Sequence, residues 1–451
     1  MLYSFALRRA DKTLRYDAAI IGAGANGLTA AAVLARAGLK TVVIERGPVA
    51  GGRLVTDTFH PGFSASAFAD LAPEIPAEVS AALALDAPLL IENLPQDIRQ
   101  RRDAALAEIF AQAREPHRRG LLARLRRAMA TVESVHVWPG QDLVSRPLAD
   151  WSRLRSWALI GRAIDPDLAG SALTLLALAG VEPVKGGLGA LGAAFLRAAS
   201  GAELRLGQEV SEVAIARGRV SGLLLADGSR IAADRVISTL DLKHSLLSLF
   251  PWTALTPALR RQAAHFRMPG GTARLLLALK RPSNAAAPVL LAGDAQFLSS
   301  FRHGAVPSQP PLLIDPVSLR DPSLAPPGGA TLTVTVAGIP GRLFDGAWSQ
   351  YRRQRLAAAI LPRIEAALPG TLAALDGIGI IVPPDMEARL GASGGDLDGG
   401  QLAADQMLAF RPGARAAMSG FYLGGASAAA GPLGTGAAGY AAALSVLADR
   451  S

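Results

Sequence analysis

Over the first fifty residues the hydrophobic pattern changes period twice. Residues 16–24 form a short apolar run ending in glycines, and residues 25–37 place apolar side chains at helical spacing until Gly38. Residues 41–45 return to a continuous apolar run. Strand, helix and strand in that order make a βαβ opening. Helical, arginine-rich and proline-punctuated sequence fills 71–167. From 186 onward the pattern predicts a helix over 191–199 and strands over 203–206, 209–216, 220–225 and 230–238. The Asp227-Gly228 turn makes these strands a meander. Residues 266–280 and 331–337 read as strands of a separate sheet, with Thr-Leu-Thr-Val-Thr-Val alternating cleanly. Residues 348–368 read as a helix, 391–400 as a glycine-rich loop, and 421–425 as a last strand before another glycine turn and helix. The prediction is an α/β protein. One domain is assembled from 1–70, 180–250 and 415–451, and 71–179 with 251–414 form an inserted α+β substrate or cap domain.

Composition narrows the chemistry. The 451 residues are 50% hydrophobic and 18% charged, which suits two or three lobes with a sizeable core. With no cysteine, the chain has no disulfide framework, dithiol redox centre, iron–sulfur cluster or cysteinyl–flavin link. Its six histidines are not at short metal spacing, so no metal site is expected. The net charge is +9, and the excess concentrates in 99–127, where nine arginines face Asp103, Glu108 and Glu115. This stretch reads first as a solvated helical face. A membrane-surface patch is the second reading, because Leu121, Leu122, Leu125 and Met129 sit beside Arg118, Arg119, Arg126 and Arg127. It lacks the interleaved aromatics on which bases stack, so no nucleic acid is expected. Two uncharged stretches, 18–35 and 416–448, are interrupted by glycines and polar groups and do not read as membrane spans. The expectation is a cytoplasmic protein, with peripheral membrane contact as an open possibility and no prediction of oligomeric state.

The pattern G-x-G-x-x-G occurs at Gly22/Gly24/Gly27, Gly187/Gly189/Gly192 and Gly434/Gly436/Gly439. Only the first follows a strand, opens a helix and has an acid, Glu45, at the end of the next strand. There Gly22 permits a tight turn, Gly24 lets the backbone approach a pyrophosphate, and Gly27 allows helix–strand packing. The helix N-terminus faces the diphosphate. Glu45 would accept from ribose hydroxyls and repel a 2′-phosphate. The second match has Pro183 in its approach and is not expected to be a nucleotide loop. The third lacks a second βαβ and could return to the same ligand. After Glu45 comes R-x4-G-G-R-x2-T over Arg46–Thr56, which brings unhindered backbone and two guanidinium groups beside the first turn.

That combined motif resembles the FAD-dependent amine oxidase and phytoene desaturase superfamily. Phe59-His60-Pro61-Gly62-Phe63, the Lys-Gly-Gly-Leu-Gly-Ala-Leu run over 185–191, the segment 321–329, and Gly394-Gly395 through Gln406 are similar to its phytoene dehydrogenase-related branch. The resemblance covers nearly the whole chain. It implies a Rossmann-type FAD-binding domain built from discontinuous segments, with a substrate domain over the flavin. It places Gly22, Ala23, Gly24, Ala25, Asn26 and Gly27 at the pyrophosphate and Glu45 at the ribose. Arg46, Gly51, Gly52, Arg53 and Leu54 would lie along the diphosphate towards the flavin, and Val210 at the adenine. Gly424, Gly425, Gly434, Thr435, Gly436 and Ala437 would enclose the ribityl chain and pyrimidine edge. The chain departs from the family after its last strand, where Gly425 leads into Ala426-Ser427-Ala428-Ala429-Ala430 instead of an acidic or Thr-His-Pro-Gly segment.

Flavin carries the hydride chemistry, and the protein supplies orientation and a shaped cavity. The favoured function is an FAD-dependent oxidoreductase abstracting hydride from an apolar or amphipathic small molecule such as an isoprenoid or lipid. Electrons would leave to oxygen or a quinone. The Trp151, Arg153, Arg155 and Trp157 segment is compatible with such a substrate. A redox-neutral flavin isomerase and a flavoprotein with a binding or regulatory role are the alternatives. No catalytic residue is assigned. His60 is the nearest candidate by family position, and Asp385, Asp396, Asp398 and Asp405 read as loop or surface acids.

Overall fold

The computed structural model describes residues 15–70, 72–85, 96–116, 180–181, 185–407, 410–415 and 418–450. Residues 117–127 of the arginine-rich stretch and the Trp151–Trp157 segment lie outside these.

Strands Ala18–Ile21 and Thr41–Ile44 are apolar at successive positions, Thr41 apart, because both faces of their sheet are covered. Ala18, Ile20 and Val43 face one core, while Ala19, Ile21, Val42 and Ile44 face another. The sheet is parallel, with five strands in the order Phe421–Leu423, Val236–Ser238, Ala18–Ile21, Thr41–Ile44 and Glu203–Arg205. Helices Ala25–Arg36, Leu188–Ala198, Gln96–Arg114 and Ala437–Ala448 cover the first face. Strands Val210–Ala216, Arg219–Leu225 and Arg230–Ala233 form an antiparallel layer over the second, with Arg15–Tyr16 added in parallel at its edge. The predicted strand over 230–238 is therefore two strands in two sheets. It breaks at the polar pair Asp234-Arg235, and Asp234 accepts a hydrogen bond from Arg15 at 2.7 Å.

Helix Gln96–Arg114 is more than a solvated face. Leu106, Ile109 and Phe110 are buried against Ala437–Ala448, with Phe110 edge-on to Tyr440 at 4.9 Å. Arg102 is buried too, and ion-pairs with Glu74 and Asp103. This helix, together with Leu255, Ala263 and Phe266, packs with the parallel-sheet half.

A second five-stranded sheet is antiparallel throughout. Its order is Val289–Leu291, Leu312–Asp315, Ala330–Pro340, Gly270–Leu279 and Leu375–Ile381. The alternation of Thr331–Val336 is explained by its two faces. Leu332, Val334 and Val336 pack under helix Gln350–Ala367 with Leu356, Ile360 and Ile364. Thr331, Thr333 and Thr335 are buried on the opposite face. There Arg274 forms a two-pronged pair with Asp70 (2.8 and 2.5 Å) and donates to Thr335 at 2.7 Å, while Thr333 donates to Asp70 at 2.8 Å. This network ties the second sheet to the segment Ala67–Asp70 of the first half.

Candidate dinucleotide site

A cavity of about 880 Å³ opens at the carboxyl ends of the parallel strands, where ligands of open α/β sheets bind. Its floor is the first glycine turn. Gly22 takes φ +97°, and a Cβ there would lie 2.5 Å from the Thr239 hydroxyl oxygen, so the turn closes only on glycine. Gly24 caps helix Ala25–Arg36 in extended backbone and makes a parallel bridge to Gly51. The Gly51 N–H donates to Ala23 O at 2.8 Å, and a Cβ on Gly52 would stand 2.9 Å from Gly24 Cα. Thus the R-x4-G-G-R segment lies directly on the first turn, and the two backbones leave a cradle that side chains would fill.

Glu45 is held by two backbone amides: Ala23 N–H donates to Oε2 at 2.8 Å, and Gly47 N–H to Oε1 at 2.7 Å. It lines the cavity beside Gln208 and Val210. The Gln208 Oε1 is buried and has no hydrogen-bond partner among the described residues, which an incoming hydroxyl or amine would supply. Arg46 donates to Ala388 O at 2.7 Å and Arg53 to Leu397 O at 2.5 Å, so both guanidiniums reach across to the strap 388–397 that forms the cavity's far wall. Close-packed glycine backbones, an amide-anchored acid and an orphaned amide oxygen in one cavity of about 880 Å³ fit a dinucleotide such as FAD.

Of the predicted residues, Gly22, Gly24, Ala25, Asn26, Glu45, Arg46, Gly51, Gly52, Arg53, Leu54, Val210, Gly434, Thr435 and Gly436 line this cavity. Ala23, Gly27, Gly424, Gly425 and Ala437 are placed behind it. Gly27 packs on the first turn, with Gly22 O 1.9 Å from a built Cβ. Gly424 abuts Ile237 and Ala442, and Gly425 abuts the carbonyls of Thr239 and Leu240. Ala437 is fully buried at the start of the last helix. The third glycine motif does return to the first: Asn26 Oδ1 accepts the Gly439 N–H at 3.2 Å.

The second glycine motif serves packing. Its helix N-terminus is satisfied from within the chain. Asp321 Oδ2 accepts the Gly186 and Gly187 N–H groups (2.6 and 3.2 Å), and Ser66 and Thr56 accept those of Leu188 and Gly189. A protein carboxylate stands where a phosphate would bind.

His60 is not among the cavity-lining residues. It pairs with Asp376 of the second sheet at 3.3 Å, and a Cβ on Gly377 would meet its ring. Asp385 caps helix Pro383–Leu390 through the Val382 N–H and ion-pairs with Arg353, and Asp405 forms an exposed pair with Arg267. Asp396 is neither a loop-surface acid nor exposed. It is 5% accessible and lines the cavity, which only the tertiary packing reveals. Asp241 and His244 also line it. His244 Nδ1 is 2.9 Å from Asp241 Oδ2, and this hydrogen bond raises the His244 pKa against the opposing effect of burial. The turn His244–Ser248, which follows Asp241, is π-type.

Residues 66–443 match the family described as flavin containing amine oxidoreductase, and residues 20–75 match an NAD(P)-binding Rossmann-like domain. The chain is 28% identical to pyridine nucleotide-disulfide oxidoreductase domain-containing protein 2 of Rattus norvegicus, over 96% of this chain and 94% of that protein. It is 25% identical to a phytoene desaturase of Fusarium fujikuroi, over 70% of this chain and 65% of that one. Among solved structures, a putrescine oxidase double mutant superposes with a TM-score of 0.56 at 16% identity, covering 96% of this chain and 99% of the other. An oxidoreductase from Methanosarcina mazei gives 0.53 at 19% identity, with the same coverage. At these identities the structures establish the fold alone.

Proposed function

Because the chain belongs to the flavin containing amine oxidoreductase family and is an FAD-dependent oxidoreductase, we propose that its substrate is an apolar or amphipathic small molecule of the isoprenoid or lipid class. Bound FAD supplies the hydride-accepting chemistry. The chain's residues bind, orient and exclude water. In this reading the Gly22–Gly27 turn and the Gly51–Gly52 backbone hold the diphosphate. Glu45 accepts from the ribose, Gln208 and Val210 bracket the adenine, and Gly434, Thr435 and Gly436 hold the flavin half.

The observation that carries the substrate class is the wall reached by following the chain from Gly51–Gly52 away from Glu45. Leu54, Val55, Phe68, Ala69, Leu188 and Leu397 line it, with the Arg389 guanidinium 4.7 Å over the Phe68 ring and Asp396 beside Leu397 at its margin. An apolar ligand would be oriented there by shape, with water excluded. The name of the Fusarium relative, a phytoene desaturase, supports this class, whereas the putrescine oxidase likeness concerns the fold. No helix among the described residues is long and apolar enough to cross a membrane. The net charge of +9 supports a peripheral contact through which a lipid-like substrate would be taken up.

The test is anaerobic mixing of the FAD-loaded protein with isoprenoids, fatty acyl compounds and primary amines, following the visible flavin absorbance. Bleaching by the apolar compounds supports the proposal. Bleaching by amines alone contradicts it. Conversion of an apolar compound to a product of unchanged mass, with no lasting bleaching, would indicate net isomerisation.

A further inference from the structure

The stretch of chain after the last parallel strand, Gly424 to Gly434, carries one polar side chain, Ser427. Its hydroxyl accepts the Leu242 N–H at 3.2 Å. The cavity wall on this side therefore offers backbone but little side-chain chemistry. A second segment is fastened directly onto it. Gly399 abuts Ala426 and Ser427 so closely that a Cβ would lie 2.5 to 2.7 Å from their backbone. The buried Arg411 guanidinium donates to Gly399 O (2.9 Å), Ala426 O (2.8 Å) and Gly400 O (2.9 Å), stapling the two segments by their carbonyls.

Asp396 stands at the start of this stapled loop. Its Oδ1 accepts the Asp398 and Gly400 N–H groups at 3.0 and 3.1 Å, which fixes the carboxyl plane. Both of these bonds fall on Oδ1, and the side chain is 95% buried and lines the cavity. The next residue, Leu397, is tied by its carbonyl to Arg53, which follows the Gly51–Gly52 cradle. Asp396 thus stands in a segment tied both to Arg53, which follows the Gly51–Gly52 cradle, and to the wall after the last strand.

We propose that Asp396 is a direct ligand of bound FAD, contacting through Oδ2 the stretch between the diphosphate and the flavin ring. The inference rests on the reading of this cavity as the FAD site. Burial, with the charge of Asp398 beside it, pushes the Asp396 carboxyl up to about 7, outweighing the Gly400 N–H and Arg411. Arg53 reaches the same loop through Leu397 O, and Asp241, itself paired to His244, accepts the Ser393 N–H from below. A bound diphosphate adds negative charge nearby, so the carboxyl binds the cofactor as a neutral acid and donates from Oδ2. The carboxylate form repels it. FAD affinity therefore falls as pH rises through the titration of Asp396.

The experiment is titration of apoprotein with FAD, followed by flavin fluorescence, from about pH 6 to about pH 9. For the unaltered protein the Kd rises at least about tenfold across this range, in keeping with a carboxyl titrating near 7. Asp396→Asn keeps the neutral donor and flattens the profile, whereas Asp396→Ala weakens binding throughout. Thermal melts of the cofactor-free variants check folding. Should they not fold, proton uptake on FAD binding by the unaltered protein at about pH 8 is the second measurement, with roughly one proton expected. Parallel pH profiles for the unaltered protein and Asp396→Asn, or no proton uptake, overturn the inference. Failure of the unaltered protein to bind FAD at any pH overturns the reading of the site itself.

Discussion

Replacing Asp70 by Asn tests what couples the two halves. Arg274 is 1% exposed on the second sheet, and its charge is met by Asp70 through two short hydrogen bonds. Burial pushes the Asp70 carboxyl up, but the Arg274 charge and the hydrogen bonds from Arg274 and Thr333 outweigh it and hold the pKa below its usual value. Asn keeps the shape and leaves the guanidinium without its counter-charge. Breaking a buried pair on one side costs about 3–5 kcal/mol. For a unit of 150–250 residues, where each kcal/mol is about 2–4 °C, the melting temperature should fall by on the order of 10 °C. Because Asp70 adjoins Phe68 and Ala69 in the cavity wall, FAD affinity should fall as well. The sign with pH follows from the depressed pKa. The contribution is present above the unfolded-state pKa and is lost as pH falls through the lower folded value, so the two proteins converge in acid. Calorimetry of Asp70→Asn, Arg274→Met and the double variant gives the coupling. Near-additive losses, or a shift below about 1 °C in Asp70→Asn, would refute the reasoning.

Two further outcomes follow. Gly52→Ala forces a Cβ against Gly24 Cα in left-handed backbone (φ +60°), which costs about 1–2 kcal/mol before any clash. FAD affinity should fall about tenfold or more with the fold retained, and unchanged affinity by equilibrium titration would argue against the cradle. His244 has its pKa raised by Asp241, so its contribution is present below the unfolded-state pKa and lost as pH rises through the folded one. His244→Gln should be less stable than the unaltered protein by about 1 kcal/mol at about pH 6, with the gap closing by about pH 9 in thermal melts. A constant gap would place the effect elsewhere.

The βαβ opening was legible because its signals are local: an unbroken apolar strand, a glycine turn and Glu45 at fixed spacing. The split of 230–238 between two sheets was not legible, since both pieces are apolar strand sequence and only the layer above Ala19 and Ile21 decides where each pairs. Helix Gln96–Arg114 misled because Arg99, Arg101 and Arg102 crowd its first two turns, and Arg102 is buried by virtue of Glu74, distant in sequence. Asp396 lies in an Asp-Leu-Asp-Gly-Gly run whose composition is that of a surface turn. Its burial comes from Arg411 and the wall at Ala426, and no local pattern announces either.

The account's central claim is that this cavity holds FAD. The most direct measurement is the near-ultraviolet and visible absorbance of freshly purified protein, before and after the ligand is released by heat. Flavin bands, with FAD recovered in the supernatant, are the predicted result. Colourless protein that takes up no added FAD would contradict it.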